Sequence, residues 1–243
     1  MRAIQLQHKG CYGIERMTGE LGRQGLAVNH KRVARVMKIY NLNAVIRKKR
    51  NYFCDVQKVA LGQLPRNVLN RNFHADRPGQ KLVSDVTYLP TSDGCWCYVS
   101  LVKDLCTSEI VACVTSRSQN LDLGKKTLSL IAEKVSPGTL FHTDQGILYT
   151  HPAFTLELKK LGVVQSLSRK GNCLDNAVIE SFNGTMKCEW FYPQLGKGRW
   201  KLSFEDVSSM VFDYVKYYNG NRIQKKLGYL TPTEYRIKIT QTK

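Results

Sequence analysis

Three acids stand out by where they fall. Asp85 interrupts the apolar stretch 82–89, and Asp144 follows the apolar stretch 139–142. Glu180 lies in a run where Val178, Ile179, Phe182 and Met186 recur at helical spacing. On that helix Asn176, Glu180, Asn183, Gly184 and Lys187 share the opposite side, an acid and a base on a face of small residues. Carboxylate oxygens are the ligands that hard Mg2+ prefers, and a few of them with substrate phosphate can hold two ions for in-line displacement. Singly, each acid also fits a structural role: Asp85 pairing within a sheet, Asp144 in an Asx-turn with Gly146, Glu180 on a solvated helix face. The case for chemistry rests on the set.

To bring such a set together the chain needs a strand, a strand end and a helix. The stretches 82–89, 95–103 and 109–115 read as strands, the first two joined by a turn ending in Asp93-Gly94, so three antiparallel strands are expected. Helical spacing follows over 121–135, then a short strand over 139–142, a helix over 152–161 and a strand over 163–167. Strands first and then alternating strands and helices predict an α/β domain with one central mixed sheet flanked by helices, over 81–243.

Ahead of it the composition changes. Residues 1–81 carry 17 Lys+Arg against 4 Asp+Glu, whereas 82–243 carry 20 against 15, within a whole-chain net charge of +18. A basic front on a nearly balanced body is the asymmetry of a chain that grips nucleic acid with one region. Helical spacing over 13–22 and 29–40, with the Gly-containing turn 23–28 between, predicts a small all-α helix-turn-helix segment within 1–50. Asn29 is the expected N-cap of the second helix, which presents Lys31, Arg32 and Arg35 as phosphate-contacting residues. A structural helical pair with a solvated basic face is the other reading of this hairpin. Residues 51–80, after the basic cluster 47–50, read as a basic linker.

The eight cysteines include no C-x-x-C pair, so the sequence predicts buried reduced thiols and no zinc site. No stretch approaches the roughly 18 apolar residues of a membrane span, and the start lacks a signal core, so a cytoplasmic protein is expected.

At the level of motifs, Asp85-Val-Thr-Tyr-Leu89, His142-Thr-Asp-Gln-Gly146 and the stretch from Ser168 to Phe182 resemble the DDE transposases of bacterial insertion sequences. The resemblance is to the B-frame protein of the IS-three family, which carries a retroviral-integrase-like core. Asp144 and Glu180 are separated by 35 residues, as in that family's D-x35-E pattern. The likeness extends to Tyr217-Tyr-Asn-Gly-Asn-Arg222 and Leu227-Gly-Tyr-Leu-Thr-Pro232, and to the helical segment 12–42. It departs at Leu82, Ser84, Cys106 and Ser108, none of which is a metal ligand.

The resemblance implies a ribonuclease H-like fold in which Asp85, Asp144 and Glu180 bind two Mg2+ (or Mn2+) ions for cleavage at transposon ends and strand transfer. It implies DNA as partner, both terminal inverted repeats and target, with a homo-oligomer on that DNA, and makes an upstream A-frame protein a candidate partner. It makes Lys187 a phosphate-gripping residue. The loop Arg169-Lys170-Gly171-Asn172 is expected to admit DNA beside the acids, a plain turn role being equally open for Gly171 and Asn172. Tyr217, Tyr218, Asn219 and Arg222 are expected to pack a late helix on the core. Against the transposase stand a non-catalytic DNA-binding regulator and a structure-selective nuclease of the same fold.

Overall fold

The computed structural model describes residues 1–44, 64–194 and 202–241; the basic cluster 47–50 and residues 51–63 of the expected linker lie outside them. Strands β1 (Lys81–Pro90), β2 (Trp96–Asp104) and β3 (Ile110–Ser116) form the expected antiparallel meander. Helix α4 (Leu121–Ile131), capped by the Asn120 side chain on the Leu123 N–H, then crosses to β4 (Leu140–Thr143). β4 joins the sheet parallel to β1, not beside β3. After α5 (Ile147–Thr150) and α6 (Pro152–Lys160), β5 (Val164–Leu167) adds parallel to β4, giving the order β3-β2-β1-β4-β5.

Alternation along the strands sends successive side chains to opposite faces, and each face is covered. Leu82, Val102 and Phe141 meet α4 and α6 through Leu128, Ile131, Phe154 and Leu158. Val83, Val99 and Leu101 meet α7 (Ala177–Met186) and α9 (Phe204–Gly220) through Ile179, Phe182, Val211 and Tyr214. Past Met186 the helix widens into a π-helical turn, Lys187–Phe191, before α8 (Tyr192–Gln194).

The basic front contains a further short helix ahead of the expected pair: α1 (Arg2–Gln7), then α2 (Ile14–Arg23) and α3 (His30–Ile39). Asn29 caps α3, its side chain accepting from Lys31 N–H at 2.8 Å. Val33 and Met37 pack on Met17, Leu21 and Tyr12, and Ile223 from the far end of the chain completes that core. The segment is thus bound to the C-terminal part. The Arg23 guanidinium grips Glu234 at the start of α10 (Pro232–Gln241) at 2.6 and 2.9 Å, and Lys225 pairs with Glu15 at 2.7 Å. A Cβ at Gly19 would come within 2.4 Å of the Tyr229 ring, so glycine is what lets α2 approach there.

The centre of this attachment is a buried ion pair. Glu189 accepts from Arg222 Nε and Nη2 at 2.7 and 2.6 Å and from the Tyr214 hydroxyl at 3.0 Å, and Arg16 of α2 stands 3.6 Å away. Tyr217 meets His8 Nδ1 at 3.1 Å, and Asn219 bonds both backbone groups of Ile110. The late aromatic motif therefore packs α9 on the core, as expected, and also carries the N-terminal segment.

One expectation needs correcting. Cys95 and Cys173 are exposed, because β2 begins at Trp96 and Cys173 opens a short 3-10 helix at the surface; all seven described cysteines are free. On the side of α7 that carries Glu180, Asn176 and Asn183 are buried and bonded to β1.

Candidate active site

The parallel pairing of β1 and β4 runs through Leu82 with Phe141 and Val83 with His142. Carried two residues further, that register sets Asp85 beside Asp144 where β4 ends, about 4.8 Å being the ordinary spacing of neighbouring strands. Helix α7 is fixed over the same point. Asn176 Nδ2 donates to the Ser84 carbonyl at 3.2 Å and Asn183 Nδ2 donates to Asp85 Oδ2 at 2.8 Å. Residues 176, 180 and 183 lie on one helical face, so Glu180 is bracketed by the two asparagines that clamp α7 onto β1.

The electrostatics agree with this placement. The Asp85 carboxyl is pushed up to about 8, first by burial and then by the negative charges of Asp144 and Glu180. Asp144 is raised by burial, although its Oδ1 accepts from Gly146 N–H at 2.9 Å. A Cβ at Gly146 would press on that same oxygen at 2.9 Å, which is why the Asp-Gln-Gly turn ends in glycine. Asp85 and Asp144 are half-buried and Glu180 is exposed, so the three open to solvent on one side.

Among the described residues no group of three His, Cys, Asp or Glu side chains forms a ready-made metal cage. The donor set nevertheless fits a hard divalent cation. It is all carboxylate oxygen, and it concentrates like charges whose mutual repulsion a cation relieves.

The structure gives several other predicted site residues partners within the chain. Arg169 binds the buried Asp175 carboxylate through Nε and Nη2 at 2.9 and 2.8 Å, Arg71 binds it at 2.8 Å, and Asn67 at 2.9 Å. These donors hold Asp175 well below the usual carboxylate range. Asn172 Oδ1 accepts from Arg71 at 3.0 Å. The loop 169–172 is therefore tied at both ends, with Lys170 exposed between them. Lys187 is half-buried, its ammonium 5.3 Å from the Tyr88 ring. Lys31, Arg32 and Arg35 are exposed on α3.

Two features behind the acids escape sequence reading. The described part of 51–80 packs on the core, with Leu69 and Ala75 buried in it. The other is a proton-ordered chain. Ser166 Oγ accepts from the Val68 and Leu69 N–H groups at 2.9 and 3.1 Å, which leaves its hydroxyl proton for His142 Nδ1 at 2.8 Å. His142 then donates from Nε2 to Ser168 at 3.1 Å, and Ser168 donates to the Thr143 carbonyl at 3.2 Å. Burial pushes His142 down to about 4, so it stays neutral and holds β4 and β5 in place just before Asp144. The only signal in the sequence was His142 itself, within the Asp144 motif.

Comparison with known proteins gives matches along the chain. The family model of an integrase core domain matches residues 75–173, a second integrase core domain model matches 161–232, and an HTH-like domain model matches 1–50. The chain is 39% identical to the putative transposase InsK for insertion sequence element IS150 of Escherichia coli (strain K12), over 96% of this chain and 80% of that protein. It is 32% identical to the transposase for insertion sequence element IS904 of Lactococcus lactis, covering 97% and 91%, and 32% identical to the transposase InsF for insertion sequence IS3A of E. coli, covering 95% and 78%. In fold it resembles the HTLV-2 integrase catalytic core domain solved in complex with magnesium in a trimeric form, with TM-score 0.51 at 13% identity, over 66% of this chain and 97% of that one.

Proposed function

Since the chain belongs to the insertion-sequence transposases with an integrase core domain, the IS3 family, we propose that Asp85, Asp144 and Glu180 are its catalytic carboxylates, acting with two magnesium ions. The chain is a transposase with a polynucleotidyl-transferase core.

The observation that carries it is the convergence of strand register and helix clamp: β1 and β4 set Asp85 next to Asp144, and the asparagines at 176 and 183 hold Glu180 over them. Asp85 is oriented by Asn183, Asp144 by the Gly146 amide, and Glu180 stays solvent-facing on the helix side. The three carboxylates would hold the ions. When bound, such ions supply Lewis-acid stabilisation of charge on the attacking and leaving oxygens of a phosphodiester. The protein's own part is to aim the carboxylates, while buried Ser84 and Tyr149, whose hydroxyls meet at 3.0 Å, fill the opposite face of β1 behind Asp85. Water is the nucleophile in end cleavage, and the freed 3′ hydroxyl is the nucleophile in joining.

DNA reaches this site along a basic path: α3 with Lys31, Arg32 and Arg35 on the duplex backbone, and Lys170 and Lys187 beside the acids. Arg169 and Asn172 shape the loop through Asp175 and Arg71 as well as standing near the strand. Joining two ends calls for more than one subunit on the DNA, and an upstream A-frame protein remains a candidate partner. A DNA substrate makes the cytoplasm, at the nucleoid, the expected site of action.

The test is Asp144→Asn, which weakens a metal ligand at nearly constant shape. With a duplex carrying the element's ends and Mg2+, cleavage and joining are expected to vanish while duplex binding stays near that of the unaltered protein. Retained cleavage in this variant overturns the assignment.

A further inference from the structure

Helix α7 has a second face with a use of its own. Opposite Glu180, residues 178, 181, 182 and 185 wall a cleft of about 400 Å³ whose other sides are the end of β2, α9 and residues 222–226. Its charged and amide lining is Arg16, Lys103, Arg222, Gln224 and Lys226, without a carboxylate. A cavity with four cationic side chains in its lining and no carboxylate is an arrangement for an anion.

Within the lining the compensation is uneven. Glu189 serves both Arg222 and Arg16. Lys103, only 5% exposed, makes no salt bridge among the described residues; its Nζ donates to the Tyr218 hydroxyl at 2.8 Å and stands 5.2 and 5.6 Å from the Tyr218 and Phe182 rings. Leaving an ammonium buried without a counter-charge is costly. Burial, with Arg222 nearby, pushes Lys103 down to about 7. Beside it Gln224 is 7% exposed; its amide neighbours the Tyr218 hydroxyl, but its Nε2 makes no well-aligned hydrogen bond. Lys226 stands at the rim, its ammonium pushed down first by the partial burial of its head and then by the charge of Lys103.

We propose that this cleft is a phosphate-binding site, in which Lys103, Lys226 and the Gln224 amide hold the anion on the back of the helix that carries Glu180. A bound phosphate supplies the missing counter-charge to Lys103 and an acceptor for Gln224 Nε2 in one step. The volume admits a phosphate with a sugar attached. The site is independent of the cleavage chemistry assigned above. The phosphate is either a phosphodiester of a nucleic-acid strand or a free phosphate or mononucleotide.

The experiment follows the melting temperature of the full chain as inorganic phosphate replaces chloride at constant ionic strength. A saturable rise is expected, as for any ligand that binds only the folded state. Lys103→Met and Lys226→Gln should each weaken the response about tenfold, the loss expected for one charged hydrogen-bond partner. Asp144→Asn should respond like the unaltered protein, separating this site from the acids. No phosphate-specific rise, or a full rise in both lysine variants, overturns the proposal; if Lys103→Met does not fold, the rim variant Lys226→Gln decides. The source is read by duplex binding at the same ionic strength. Weaker duplex binding in Lys226→Gln, together with competition by phosphate, assigns the site to a DNA strand. Duplex binding indifferent to both, with the melting response intact, assigns it to free phosphate; either result supports the site.

Discussion

Replacing Asn183 by leucine isolates the contact that joins α7 to Asp85. Asn183 is 5% exposed and donates one hydrogen bond to Asp85 Oδ2 at 2.8 Å, while its own Oδ1 has no partner. A hydrogen bond to a carboxylate contributes about 1.5–3 kcal/mol. Removing it should therefore weaken the aim of Asp85 by about 10- to 100-fold at about 1.4 kcal/mol per decade, matching the usual effect of losing a residue that orients a metal ligand. Stability should hardly move, because the leucine also removes a buried acceptor that was never satisfied; a change within about 1 kcal/mol corresponds to about 2–4 °C in a chain of this size. The assay is cleavage of a labelled duplex carrying the element's ends, with rates taken across a Mg2+ titration, beside a circular-dichroism melt. The expected outcome is a lower rate and a rightward shift in the Mg2+ needed, with an unchanged melt. A rate within about twofold of the unaltered protein at every Mg2+ concentration refutes the positioning role. So does a loss of rate that merely accompanies a large fall in melting temperature.

Three further outcomes are expected. Glu189→Gln leaves Arg222 buried against a neutral partner and should cost about 3–5 kcal/mol, lowering the calorimetric melting temperature by about 6–20 °C; a fall under about 2 °C would contradict the central place given to this ion pair. The Glu234 carboxyl is held down to about 2 from 4.5, chiefly by its hydrogen bonds from Arg23. A depressed carboxyl stabilises above its ordinary pKa and loses that contribution as pH falls towards its folded value, so amide protection in α2 should drop between about pH 4.5 and 2, and Glu234→Gln should abolish that step. Arg35→Ala on the exposed face of α3 should reduce the slope of log affinity for duplex against log salt by about 1; an unchanged slope removes Arg35 from the phosphate contacts.

The periodicities of 2 and 3.6 are local properties, and they located β1 to β5, α2, α3, α4 and α6 to within a few residues, together with the Asn29 cap. The short helix α1 was not legible, having too few residues to show a period. Nor was the π-helical turn 187–191, in which Glu189, Trp190 and Phe191 are all buried. The sequence puts Asn183 on the same side of the helix as Glu180 but does not show its partner, a carboxylate 98 residues away. The same holds for Arg169 and Asn172, whose residue types suit DNA but whose side chains answer to Asp175 and Arg71.

What the sequence determined alone was the inventory: three acids in a strand, past a strand end and in a helix, a basic helical front, and the spacing that places this chain among its relatives. Whether the acids could meet was decided by tertiary structure. β4 pairs with β1 rather than with β3, its neighbour in the chain, and that choice is made by the apolar faces that α4 and α6 must bury. A carboxylate's chemistry depends on which charges and donors stand within a few ångströms of it, and those neighbours come from parts of the chain that no local pattern connects.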